Sequence, residues 1–340
     1  MRFRFCTLAA ATTALLAATL PALTPTTAFA RPTDHHRTAP AAPTVTTAYG
    51  LPGAAVYPEG IAADPYTGAV YVGSYADGTV YRAIPGRPTA EVFLPSGTDG
   101  RRTANGLKAD PLGRLWVTDS TKGVAVYDIR TRRLLARFDV PDTAPRFVND
   151  VALAPDGTAY LTDSVREVVY RVTPADFAYA RAHGGTGELT PRYDLSGTLE
   201  PHPAGTFTLN GIVADPAGRY LLVVDMTGGD LYRVGLRDGA VRKVALTGAD
   251  MAHADGLDLR HGTLRAAHNT VNTLTRWQLN HDGTAARLVR TFTDPSLEIP
   301  TTLVHTRGRT LVVRSQFDKG GPLGSPGTPG PFTIAAVTGL

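Results

Sequence analysis

The stretch NGLKADPLGRLWVTDS, residues 105–120, reads as a short strand, a turn through Asp110-Pro111 and Gly113, a second strand over Arg114 to Thr118, and a stop at Asp119-Ser120. The same grammar recurs along the chain. Glu59-Gly60 opens a copy that runs through Asp64-Pro65 and Gly68 to Ser74, and Asn149-Asp150 opens one that runs through Pro155 and Gly157 to Asp163-Ser164. Asn210-Gly211 leads through Asp215-Pro216 and Gly218 to Asp225. Asp255-Gly256 leads through Gly262 to His268-Asn269, and Thr301-Thr302 through Gly308 to Arg314-Ser315. Successive copies start 46, 44, 61, 45 and 46 positions apart.

Six copies of a unit of short strands at a near-constant spacing predict an all-β fold: a six-bladed β-propeller with four-stranded blades around a central channel. One unit cannot bury both of its apolar faces, and stacking units in a ring does. In the first unit the strands are expected at about 59–63, 69–73, 79–84 and 90–94, with Asp77-Gly78 as a hairpin turn. Ring closure requires residues 45–54 to pair with the last blade, whose other late strand is placed at Pro331 to Val337. The gap of 61 holds two extras. Thr173-Pro174 predicts an N-cap and first-turn proline for a helix to about His183, and residues 196–209 make a long approach to the fourth unit. Residues 319–331 form another irregular loop.

The first 30 residues read as a secretory signal peptide: Arg2 and Arg4, an apolar run from Leu8 to Leu23, then Ala28-Phe29-Ala30 as a small-x-small cleavage site. Cleavage after Ala30 would release a secreted protein, extracellular or periplasmic, and remove Cys6, the one cysteine, so no disulfide is expected. Residues 31–44 are polar and Pro-rich and read as a flexible leader, and residues 45–340 as the propeller. No apolar stretch outside the signal is long enough to span a bilayer. The segment 1–30 carries two arginines and no acids, so the formal net charge of +4 falls to +2 without it. The basic residues form no stripe with interleaved aromatics, which argues against nucleic acid as a partner. Nothing in the chain points to an oligomer, and a monomer is expected.

The residues at position one of the six copies are Glu59, Asn105, Asn149, Asn210, Asp255 and Thr301. In a propeller the innermost strands line the channel, so these side chains are expected to converge at one end of it. Carboxylates and amides without a His/Cys set suit a hard divalent cation, Ca²⁺ above all, and argue against zinc or copper. Asn-Gly and Asp-Gly are also common turn dipeptides, which leaves a purely structural reading of the same residues open.

With these residues in view, the chain resembles the gluconolactonase, or senescence-marker-protein (regucalcin-like), family of six-bladed propellers over about residues 45–340. The resemblance implies a channel cation, usually calcium, held by Glu59, Asn149, Asn210 and Asp255. It also implies hydrolysis of a lactone or similar small ester. Asp255 would combine metal ligation with proton abstraction; Asp150 is a second catalytic candidate. Asn105 would reach a substrate hydroxyl. The family's substrate-contacting Arg stands two residues before its Asn-Asp pair, and here Arg146 stands three before Asn149. The Trp that usually follows the first Glu is replaced by Ile61-Ala62-Ala63. No Gly-x-Ser-x-Gly nucleophile motif and no phosphate-cradling glycine loop occurs. Two other readings stay open: an NHL-like propeller that binds a protein or glycan without catalysis, and a metal-stabilised propeller without activity. His202, His253 and the turn residues Asp119, Asp163, Asp225, His268, Asn269 and Gln316 are expected at the same end as position one.

Overall fold

A computed structural model describes residues 42–340. The expected signal peptide and most of the expected leader lie outside the described residues. Six antiparallel sheets follow one another along the chain. Blade 1 is built from Pro58–Ala63, Val70–Ser74, Val80–Ala83 and Glu91–Leu94, within a residue or so of the expected strands. Blade 2 takes Leu107–Ala109, Arg114–Asp119, Gly123–Asp128 and Leu134–Asp139; blade 3 takes Val148–Leu153, Ala159–Asp163, Val168–Val172 and Thr190–Asp194. Blade 4 takes Leu209–Ala214, Tyr220–Asp225, Asp230–Gly235 and Val241–Lys243; blade 5 takes Ala254–Arg260, Thr263–His268, Thr273–Leu279 and Ala285–Thr293. Blade 6 combines Leu303–Thr306, Arg309–Val313 and Thr333–Thr338 with Thr44–Gly50. The last pair runs from Thr44 with Thr338 to Gly50 with Thr333, with one bulge between Thr47 and Tyr49; it ties the start of the described chain to its end and closes the ring.

The core follows from the period of two along each strand. In blade 1, Ile61, Val70 and Val72 face blade 6, while their neighbours Ala62 and Tyr71 face blade 2. The same alternation around the ring produces six apolar clusters, one at each blade–blade interface. Consecutive first strands touch one another around the channel, and the strand of blade 6 returns to that of blade 1.

Two blades exceed the expected four strands. Thr186–Glu188 adds in parallel to the outer strand of blade 2, and Ala245–Thr247 adds in parallel to that of blade 5. Both come from connecting segments, and both cover an edge that would otherwise expose unpaired backbone groups. Three-residue strands of mixed polarity carry too little periodicity to be read from sequence. The expected helix is Pro174–Ala182, with Thr173 and Asp176 forming a reciprocal capping box. It buries Phe177 and Ala180 over the interface of blades 2 and 3, where Phe177 meets Trp116.

Candidate active site at the channel entry

The position-one residues sit where the first strand of a blade enters the channel. In blades 1, 3, 4 and 5 the pairing with the second strand slips by one residue at that point, between Pro58 and Ile61, Val148 and Val151, Leu209 and Ile212, and Ala254 and Leu257. A bulge of this kind re-aims the side chains it carries. The four bulges hold Glu59, Asn149, Asn210 and Asp255, the four residues that the resemblance names as cation ligands.

The glycine at position two is explained by packing. A Cβ on Gly60 would lie 2.0 Å from the carbonyl oxygen of Asn105 in blade 2, and one on Gly211 would lie 2.2 Å from that of Asp255 in blade 5. Neither glycine has a positive φ. The Asn-Gly and Asp-Gly pairs are thus points of close backbone approach between blades, not turns. Blade 3 departs from the pattern with Asp150, whose carboxylate takes the space left by Gly106 of blade 2. Backbone carbonyls of the ring are also engaged: Asn149 accepts from Thr118 Oγ1 at 2.6 Å, Asn210 from Thr162 Oγ1 at 2.7 Å, and Glu59 from Thr301 Oγ1 at 2.8 Å. Thr301 therefore acts through its hydroxyl as an inter-blade tie.

The side chains are buried, with exposures of 1–5 % across the six. Their polar atoms are unequally satisfied. Asn149 donates from Nδ2 to Ser164 Oγ at 2.9 Å, which leaves its Oδ1 without a partner. Glu59 Oε2 and both amide atoms of Asn105 also lack partners. Asn210 donates to the weak acceptor Met226 Sδ at 3.2 Å and also hydrogen-bonds the Asp255 carboxylate. Asn269 Nδ2 donates to Asp255 Oδ2 at 2.9 Å. Buried acceptors without donors are costly and uncommon.

Electrostatics mark the same residues. Burial pushes the Glu59 carboxyl well above the ordinary carboxylate range, and the charges of Asp255 and Asp150 push it further. Asp255 is raised to about 7 by burial, against the hydrogen bond from Asn269, with the charge of Asp150 adding to the rise. Asp150 is raised by burial and pulled back by Lys108, whose Nζ stands 3.9 Å from Asp150 Oδ1. Lys108 escaped the sequence reading. Position four is Ala62, Ala152, Val213, Asp258 and Val304 in the other blades, and a lone lysine there has no motif.

A cavity of about 600 Å³ occupies the other half of the channel. It is lined by later residues of the first strands, among them Ala62, Ala152 and Val213, and reaches Lys108. The position-one residues are not part of its wall.

The remaining expected residues divide. Arg146 is turned back on its own loop, against the carbonyls of Asp142 and Ala144, so the structure does not bring it to the ring. Asp119 and Asp163 cap their turns and hold the approaching loop through backbone N–H groups of Arg102 and Phe147. Asp225 does the same for the long loop through His202 Nε2 at 2.8 Å. His268 Nδ1 lies 2.8 Å from the Ala252 carbonyl, which can only accept, so Nε2 accepts from Thr275 Oγ1. It is a satisfied neutral core residue, and burial pushes its pKa down. His253 meets Thr270 Oγ1, and Gln316 holds Gly330 and Pro331.

Among the described residues, no three His, Cys, Asp or Glu side chains are gathered tightly enough to hold a metal ion by themselves. A cation at this end of the channel would need the amide oxygens of Asn149 and Asn210 beside the carboxylates of Glu59 and Asp255. The partnerless Oε2 of Glu59 and Oδ1 of Asn149 fit that need.

No family model matches the chain, and no curated protein matches it. Solved structures do. A gluconolactonase from Xanthomonas campestris shares 19 % identity, covers 86 % of this chain and 89 % of its own, and has a TM-score of 0.57. The PQQ-bound aldose sugar dehydrogenase from Streptomyces coelicolor shares 16 % identity over 88 % of this chain and 99 % of its own, at a TM-score of 0.56. A catalytically inactive virginiamycin B lyase from Staphylococcus aureus, bound to quinupristin, shares 12 % over 87 % and 99 %, at 0.53. At these identities the likeness is one of fold, and enzymes of different chemistry share it.

Proposed function

We propose that the protein is a calcium-type, metal-dependent hydrolase of a lactone or similar small ester. The observation that carries this reading is the set of buried oxygens without donors, Glu59 Oε2 and Asn149 Oδ1, beside carboxylates whose pKa values burial raises. Left as they stand, these groups cost stability; a divalent cation would satisfy them. Glu59, Asn149, Asn210 and Asp255 would hold it. When bound, the cation supplies Lewis acidity toward an ester carbonyl.

The chain's own residues supply the rest. Asp255, oriented by Asn269, would take a proton from the attacking water; without a cation, burial raises its pKa. A bound cation would lower that pKa, which favours the ionised base. Asp150, held beside Lys108, keeps a second carboxylate at the ring and is the alternative base. Asn105 has a free amide donor and acceptor for a polar group of the substrate. Export under the N-terminal segment belongs to the same proposal, and N-terminal sequencing of protein recovered outside the cytoplasm should begin at Arg31.

The test is calcium titration by calorimetry on the wild-type chain and on Asp255→Asn. Saturable binding near one site, lost in the variant, together with calcium-dependent lactone hydrolysis, is the expected result. No binding of calcium, magnesium, manganese or zinc would sink the proposal and leave a non-enzymatic binding propeller.

A further inference from the structure

Five aromatic rings gather at the position-one end of the channel. Phe207 precedes blade 4, Phe147 precedes blade 3, Tyr75 follows the second strand of blade 1, Phe317 follows that of blade 6, and Tyr57 precedes blade 1. They touch in series. Phe207 meets Phe147 edge-on at 4.8 Å between centroids, Phe147 stacks on Tyr75 at 6.2 Å, Tyr75 meets Phe317 at 5.6 Å, and Phe317 meets Tyr57 at 6.4 Å. The central link is informative. Blades 1 and 3 are separated by blade 2, so the Tyr75–Phe147 stack spans the position-one end of blade 2, where Asn105 enters. Tyr75 lies close enough to the ring for the Glu59 charge, after burial, to raise its phenol pKa.

Four basic groups near this roof are engaged elsewhere, while Asp318, beside Phe317, keeps a buried Oδ1 without a partner. Arg146 and Arg166 are tied to Asp142, Lys122 to the Gly100 carbonyl, and His202 to Asp225. The polar side of the entry is blade 5, with Asp255, Asn269 and Thr270. A ligand whose carbonyl reaches the ring would lay the rest of its body against aromatic faces.

Building on the hydrolase reading, we propose that the substrate is a lactone or ester with an apolar, ring-bearing body, and that Phe147, Phe207 and Tyr75 select it over a sugar lactone. Hydrolysis adds water across the acyl C–O bond: the attacking water bonds the carbonyl carbon, its proton goes to the base, and the alcohol oxygen leaves and is protonated. The aromatic rings take no part in that exchange; they bind the body that stays intact.

The experiment compares dihydrocoumarin with D-glucono-δ-lactone on the calcium-supplied full chain. We expect kcat/KM for dihydrocoumarin to exceed that for the sugar lactone by about tenfold or more, the scale on which apolar pockets discriminate. Phe207→Ala and Phe147→Leu should bring the ratio toward one. Phe207 is 43 % exposed, so its truncation should leave the fold intact. Tyr179→Ala, on the outer helix, should leave the ratio unchanged. A preference for the sugar lactone, or equal loss on both substrates in the variants, overturns the proposal. If neither lactone is hydrolysed, the hydrolase reading fails separately, and binding of the non-hydrolysable 2-tetralone by saturation-transfer NMR decides. Binding weakened by Phe207→Ala supports an apolar ligand at the roof, and no binding overturns it.

Discussion

Glu59, Asp150 and Asp255 bring three acids into one buried end of a channel, with Lys108 as the cation beside Asp150. All three have pKa values raised mainly by burial, so the folded chain holds protons that the unfolded chain has released. The sign follows: their contribution is fully present below the unfolded carboxylate range and is lost as pH rises through the folded value, about 7 for Asp255. Metal-free protein should therefore lose thermal stability between roughly pH 4 and pH 7 at this site. Calcium should counter the loss most at the upper end of that window, where the carboxylates ionise. Scanning calorimetry with EGTA and with calcium checks both. Glu59→Gln replaces the acid by a neutral near-isostere, so we expect the metal-free protein to change by no more than about 1 kcal/mol. The same variant should lose the stabilisation by calcium, which for wild type is about 2.7 kcal/mol at a hundredfold excess over Kd. A variant that still gains stability from calcium would remove Glu59 from the ligand set.

At the scale of the strand, the bulge and its glycine work together. The bulge turns the position-one side chain into the channel, and the bare glycine beside it lets the next blade approach. Gly60→Ala would set a methyl group 2.0 Å from the Asn105 carbonyl oxygen, and backbone cannot move aside as a side-chain tip can. We expect a loss of at least about 2 kcal/mol in urea unfolding. A turn glycine would instead be defended by a positive φ, and Gly60 has none. A near-neutral Gly60→Ala would mean that the blades can separate at little cost. The repeat was legible here because four of the six copies carry Gly at position two. Its cause was not, since the clash lies between residues about 45 positions apart.

For the molecule as a whole, stability depends on closing the ring. Thr333–Thr338 holds Thr44–Gly50 on one side and Arg309–Val313 on the other, and Ile334, Ala335 and Val337 are fully buried. Removing residues 332–340 should leave blade 6 with an unpaired strand and open the interfaces with blades 5 and 1. We expect loss of a single cooperative thermal transition and rapid proteolysis, followed by circular dichroism and mass spectrometry. A truncated chain that still melts cooperatively would show that five complete blades suffice.

The sequence by itself determined the blade number, the ring closure, the helix with its cap, and the residues at the channel entry. These depend on local periodicity and on a phrase repeated at a constant phase, and both are written along the chain. Tertiary structure alone decided the rest. It tied Arg146 into its own loop, made His268 a neutral core residue, set Lys108 beside Asp150, and added a fifth strand to two blades. It also leaned Tyr75 on Phe147 across an intervening blade. Such contacts join residues far apart in sequence, and their partners are chosen by the twist and spacing of the blades, which no local pattern encodes.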